Sequence, residues 1–193
     1  MALDHPTAAS HGFRLAVAKL SIGQFRFIGT AGLSRLAALA LALILTDGVS
    51  HAETPEEWIA LGSRVHGGFG SFIPLGIKIG LDAVNRLHAK PRELTVLYYD
   101  SDASPCACFA DGVAIATYAS IGQRTLTVAP EKAPAGAAAV IVIRLRQGGA
   151  GFKYTIPAAA LAKLGPMNKN LDARGRYDAV TAADDLFDVE LAP

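Results

Sequence analysis

Apolar and polar positions alternate along the chain in two different periods, and the switches between them mark the elements. Over "TPEEWIALGSRVH" the apolar residues Trp58, Ile59, Leu61 and Val65 recur at helical spacing. Thr54 precedes Pro55 and stands three residues before Glu57, the pattern of a capping box with proline at the first helical position. The Gly67-Gly68 pair ends that helix. After Pro74, Ile77, Leu81, Val84 and Leu87 again keep helical spacing, with Lys78, Asp82, Asn85 and Arg86 between them, and Lys90-Pro91 stops the run.

The period then shortens. "ELTVLYYD" is β-rich and apolar at nearly every position, which predicts a central strand covered on both faces. "CFADGVAIATYAS" returns to helical spacing through Phe109, Val113, Ala116 and Tyr118, with Gly112 marking close packing or a bend. "RTLTVAP", "AAAVIVIRLR" and "GFKYTIP" predict three strands joined by Gly, Pro and Ala turns, a pattern suited to antiparallel neighbours. "PAAALAKLG" and "YDAVTAADDLFDVELA" predict closing helices. Helices and strands come in blocks, so the expected class is α+β with a mixed, largely antiparallel sheet packed against helices.

The first fifty residues do not fit that scheme. Arg35 is followed by eleven apolar or small residues, "LAALALALILT", shorter than the ~20 a membrane-spanning helix needs. Ser50 and Ala52 put small side chains where a signal peptidase tests them. The expectation is an n-region and signal peptide over 1–52, cleaved after Ala52, with no stable membrane anchor, and a single domain over 53–193 in the periplasm or outside the cell. From Glu53 onward there are 14 Lys/Arg and 15 Asp/Glu. A balance of −1 gives no electrostatic reason to bind nucleic acid or anionic lipid. Both cysteines lie in "PCAC", so they cannot staple distant parts of the chain, and apolar burial must supply the stability.

Two stretches carry candidate chemistry. In "HGGFGSFIPLG", five residues separate Gly70 from Gly76 and no Lys-Ser/Thr follows, so the stretch is not a Walker phosphate loop. A dinucleotide fingerprint would need glycine at 73, which is Ile73, and a strand before the loop rather than a helix. Only two histidines follow residue 53, His66 and His88. His66 is either a helix-terminating residue or a functional one, whereas His88 reads as an exposed helix end. In "YYDSDASPCACFADG", Cys108 sits at a helix start, where the backbone dipole favours thiolate. The alternatives are that Cys106 and Cys108 are packing residues or that they form a near-neighbour disulfide.

These residues resemble the FmdE-like domain family, named after a component of formylmethanofuran dehydrogenase. Its members carry a His-Gly-His-x-Cys-Pro-Gly loop with a glycine ten residues after the first histidine, then a helix. His66, Gly67 and Gly76 match, and Lys78 occupies a position often held by arginine. A second family motif, Cys-x-x-Asp-Ala/Gly-Ile/Val followed by threonine and glycine, is matched in order by Cys108, Asp111, Gly112, Val113, Thr117 and Gly122. Departures are equally specific. Gly68 and Gly70 replace the second histidine and the loop cysteine, Ser71 and Phe72 replace Pro-Gly, and no cysteine follows Cys108 to form the zinc ribbon that many members append.

The resemblance implies an FmdE-like core, a homodimer, and zinc as the metal, with His66 and Cys108 as the retained ligands and Cys106 beside them as the candidate third. Asp100, Asp102, Asp111, water or a partner chain would complete the shell. It does not imply formylmethanofuran oxidation. The leading expectation is a periplasmic small-ligand or metal-binding accessory protein with a pocket between the 66–76 loop and the Cys108 helix. The alternative is an enzyme with Cys108 as thiolate nucleophile or redox centre, His66 as base or partner and Asp111 as orienter. A domain whose ancestral site has decayed is the third reading.

Overall fold

The computed structural model describes residues 53–192; the expected signal peptide falls on residues 1–52, outside them. Helix α1 (Pro55–His66) starts as its sequence dictates. Thr54 Oγ1 accepts from the Glu57 N–H at 3.3 Å, and Glu57 Oε2 accepts from the Thr54 N–H at 2.7 Å. Gly67 closes the helix at φ 86°, a left-handed conformation that glycine adopts without a Cβ penalty. Thr54→Ala is expected to cost about 1 kcal/mol of stability, read as a lower urea midpoint at unchanged slope.

Helix α2 (Phe72–Arg86) begins two residues before Pro74 rather than after it. A proline in the first turn removes an N–H that has no intrahelical acceptor, so the helix tolerates it there. The buried side of α2 is wider than one stripe, running through Ile73, Leu75, Ile77, Ile79 and Ala83, because the helix is covered on two sides. Leu75, Ile79 and Ala83 join the main core with the sheet, while Ile73 and Ile77 join a second cluster with Trp58 of α1 and Phe69.

Strand β1 (Leu94–Asp100) leads to helix α3 (Cys108–Thr117), then β2 (Leu126–Val128), β3 (Ala137–Leu145) and β4 (Gly151–Pro157). A 3-10 turn at Ala158–Ala160 runs into α4 (Leu161–Asn170), followed by α5 (Ala173–Ala182) and β5 (Asp188–Leu191). The sheet order is β2-β1-β3-β4-β5, with β1, β3, β4 and β5 antiparallel in succession. This is the α+β arrangement expected.

Three local expectations are corrected. First, β2 pairs parallel to β1, because α3 crosses over between them. Second, β1 is interior to the sheet but alternates: Leu94, Val96 and Tyr98 are buried, while Thr95, Leu97 and Tyr99 are half-buried on the other face. Third, the closing segment is not one helix. α5 stops at Ala182, and Asp188–Leu191 pairs with the β4 edge, where Val189 faces Tyr154 across the ladder and Lys153 pairs with Glu190. Two-residue alternation in "DVEL" suits an edge strand, and the free β4 edge supplies its backbone partners.

The core centres on Tyr98, Ile141, Ile143, Tyr154 and Ile156, all inaccessible to solvent. The Tyr154 hydroxyl donates to Asp82 Oδ2 at 2.8 Å, so the buried phenol has its acceptor. Burial first and the neighbouring carboxylates second hold the Tyr154 and Tyr98 phenols neutral, well above the usual tyrosine range. No helix among the described residues is long and apolar enough to cross a membrane.

Candidate functional site

His66 is the last residue of α1, and Cys108 is the first residue of α3. What brings them together is the contact of α2 with α3. Gly76 and Gly112 face each other so closely that a Cβ on Gly76 would lie 2.2 Å from the Phe109 carbonyl oxygen, and one on Gly112 would lie 2.2 Å from the Ile73 carbonyl oxygen. One turn on, a Cβ on Gly80 would lie 2.7 Å from Ala116 Cβ. Small residues on both ridges let the backbones touch and set the start of α3 beside the end of α1.

The imidazole of His66 then lies between two groups of α3. Its Nε2 is 3.2 Å from Cys108 Sγ, and its Nδ1 is 2.7 Å from Asp111 Oδ2. A carboxylate can only accept, so Nδ1 carries the proton and donates to Asp111, and in the neutral ring Nε2 presents its lone pair toward the sulfur. A carboxylate that fixes the far side of an imidazole in this way is the usual support of a metal-ligating histidine. Cys108 is 7% exposed and bonded to Cys106, with a Cα–Cα separation of 5.3 Å. Of the three readings open for these cysteines, the disulfide is the one present, so Cys108 is not a free thiolate in this state. The correction has a physical cause: the turn before α3 brings the two side chains within bonding reach.

The ligand atoms of His66, Cys106 and Cys108 all lie within 4.8 Å of one another. Zinc holds nitrogen at about 2.0 Å and thiolate sulfur at about 2.3 Å, which puts neighbouring ligand atoms roughly 3.5 Å apart in a tetrahedron. A group this compact could hold a metal ion when both sulfurs are thiolates. Three protein ligands leave a fourth position for water or another small ligand. Asp111 supports His66 from behind rather than joining the ligand set. Asp100 and Asp102 pair with Lys132, at 3.6 and 3.2 Å, and are not gathered at the cluster. His88 lies exposed beyond the other end of α2, at φ 48°.

A cavity of about 340 Å³ adjoins the cluster, lined by His66, Phe72, Pro105, Cys106, Cys108 and Asn168 among others. Its α4 wall had no signal in the sequence. Asn168 Oδ1 accepts from the Ser71 N–H at 3.2 Å, and Ser71 Oγ donates to the Leu164 carbonyl at 2.8 Å. Arg176 donates to the carbonyls of Phe69 and Asn168 at 2.9 and 2.8 Å. These bonds, between residues up to 107 apart in sequence, hold the glycine loop where a Pro-Gly step would otherwise stiffen it. Lys78 reaches the Ala183 carbonyl and Asp184 rather than the cluster. A larger hollow, about 590 Å³, lies over Thr95, Leu97, Tyr99, Val140 and Val142 of the sheet, with no imidazole or thiol in its lining. Volume therefore does not mark the chemistry here.

No curated protein matches the chain. A family model described as "FmdE, Molybdenum formylmethanofuran dehydrogenase operon" matches residues 65–183, which include His66, Cys106, Cys108, Asp111 and both helices that position them. The chain belongs to the FmdE family.

Proposed function

We propose that this is an exported metal-binding accessory protein, and that its centre is His66, Cys106 and Cys108 in the dithiol state, with zinc as the metal. One observation carries the reading: three ligand atoms of suitable chemistry converge within 4.8 Å, with Asp111 already oriented behind the histidine. The soft thiolate and imidazole donors suit zinc over magnesium or calcium. The adjoining cavity supports a small ligand at the fourth position, because it opens on the same three side chains. Export rests on the apolar segment and small residues before Glu53, and a disulfide agrees with an oxidising compartment.

Cobalt(II) titration of the reduced full chain tests the reading. The expected result is a thiolate-to-cobalt charge-transfer band that saturates at one ion per chain and is bleached by zinc. A reduced chain that gives no such band rules out the centre.

A second reading rests on a different observation, the line Cys108 Sγ–His66 Nε2–Asp111 Oδ2 at 3.2 and 2.7 Å, which orders nucleophile, base and orienter. Here the reduced, metal-free protein would use Cys108 as nucleophile. Iodoacetamide should then label Cys108 ahead of Cys106, and equal labelling of the two, unaltered in His66→Gln, would remove this reading.

A further inference from the structure

The two sulfurs that the metal centre requires as thiolates are bonded to each other. A disulfide sulfur offers no thiolate charge, so the bond and the metal exclude one another. The chain contains only these two cysteines. No third thiol of its own can open the bond, and the electrons must come from outside.

We propose that Cys106–Cys108 is a thiol–disulfide exchange centre in which an external dithiol attacks Cys106, and that this exchange switches the metal site on and off. The switching half rests on the metal-binding reading; the exchange half does not. Which sulfur is attacked follows from access. Cys106 is half-buried in the turn before α3, whereas Cys108 is 7% exposed, with His66 Nε2 3.2 Å from its sulfur. Attack on a disulfide proceeds along the S–S axis from beyond the attacked sulfur, and access decides between the two. Both sulfurs line the cavity, and His66 Nε2 lies 3.2 Å from Cys108 Sγ, so the greater exposure of Cys106 is what directs attack there. Lys169 also lines that cavity, so a cation stands where an anionic thiolate would enter.

The exchange balances as follows. The incoming thiolate forms a bond to Cys106 Sγ, the Cys106–Cys108 bond breaks, and its electron pair leaves on Cys108 Sγ. That sulfur lies 3.2 Å from His66 Nε2 and at the first position of α3, where free backbone N–H groups favour negative charge. The second thiolate of the dithiol then attacks its own sulfur in the mixed disulfide and releases Cys106. The protein gains two electrons, the dithiol becomes an intramolecular disulfide, and its two protons pass to the protein thiols or to water. Cys106 and Cys108 are then both available beside His66 as ligands. An external disulfide, running the same exchange in reverse, takes up the two electrons as a dithiol, rejoins Cys106 to Cys108 and releases the ion.

The test uses the full chain with its disulfide intact. Native protein is exposed briefly to glutathione, quenched in acid, alkylated and read by peptide mass spectrometry. The expected adduct is glutathione on Cys106 with the alkyl label on Cys108, and dithiothreitol is expected to yield two labelled cysteines per chain. Glutathione found on Cys108, or thiols released only after denaturant, overturns the exchange. The dithiothreitol-reduced protein, desalted without air, is then given cobalt(II). The charge-transfer band should be present after reduction, absent before it, and lost to baseline on adding diamide. An oxidised chain that shows the same band overturns the switch. A chain that exchanges thiols normally yet shows no band when reduced removes the metal reading and the switch with it, and leaves the exchange standing.

Discussion

Gly76→Ala is expected to destabilise the protein by about 2 kcal/mol, although alanine normally gains about 1 kcal/mol over glycine inside a helix. The sign is reversed by the contact of α2 with α3. The added Cβ would stand 2.2 Å from the Phe109 carbonyl oxygen and 2.8 Å from Gly112 Cα, and both are backbone atoms that no rotamer change can move aside. One helix must shift, at an overpacking cost of about 3 kcal/mol. For a folded region of this size the net loss corresponds to a melting temperature lower by about 7 °C. Gly112→Ala meets Ile73 O in the same way and should behave alike. The double variant should cost less than the sum, because one separation relieves both clashes. Gly165→Ala in α4, where nothing lies within 4 Å of the added Cβ, is the control and should be neutral or mildly stabilising. Thermal melts of the four variants beside the wild type check this, and an unchanged midpoint in Gly76→Ala would refute the packing account.

Asp111→Ala is expected to weaken metal binding by the reduced protein on the order of 10–100-fold with little change in stability. Asp111 Oδ2 accepts from His66 Nδ1 at 2.7 Å, and this is the bond that turns Nε2 toward Cys108. Without it the imidazole can rotate and can place its proton on either nitrogen, so binding must first select the useful orientation. The carboxylate is 39% exposed, so its removal leaves no buried group unpaired. Asp111→Asn keeps an acceptor oxygen but loses the charge, and should fall between wild type and alanine. Competition of the cobalt complex against a chelator measures the series. Equal affinities across all three proteins would show that Asp111 has no part in orienting His66.

Much of the fold was legible because its signals are local. The capping box Thr54–Glu57, the terminating Gly67 and the helical run from Cys108 to Thr117 each depend on residues within a turn or two of one another. β3 and β4 were equally readable, as β-branched runs divided by glycines. The misassigned parts depend on distant partners. "DVEL" carries an alternation too short to be read against the Ala- and Asp-rich run before it, and it is a strand because β4 has a free edge there. β2 is parallel because α3 intervenes, and "LTV" carries no mark of direction.

The candidate site divides along the same line. Sequence alone determined the chemistry at hand: an imidazole at a helix end, two thiols at a helix start, an aspartate one turn on, and glycines at 76 and 112. These are properties of residue type and short spacing. Only the tertiary structure decided that His66 meets Cys108 and Asp111, which lie 42 and 45 residues away, and that the two thiols are joined. It likewise decided that Asn168 and Arg176 hold the glycine loop. Those contacts follow from the approach of α2 to α3 across Gly76 and Gly112, a distance set by backbone atoms in contact and therefore visible only once the chain has folded.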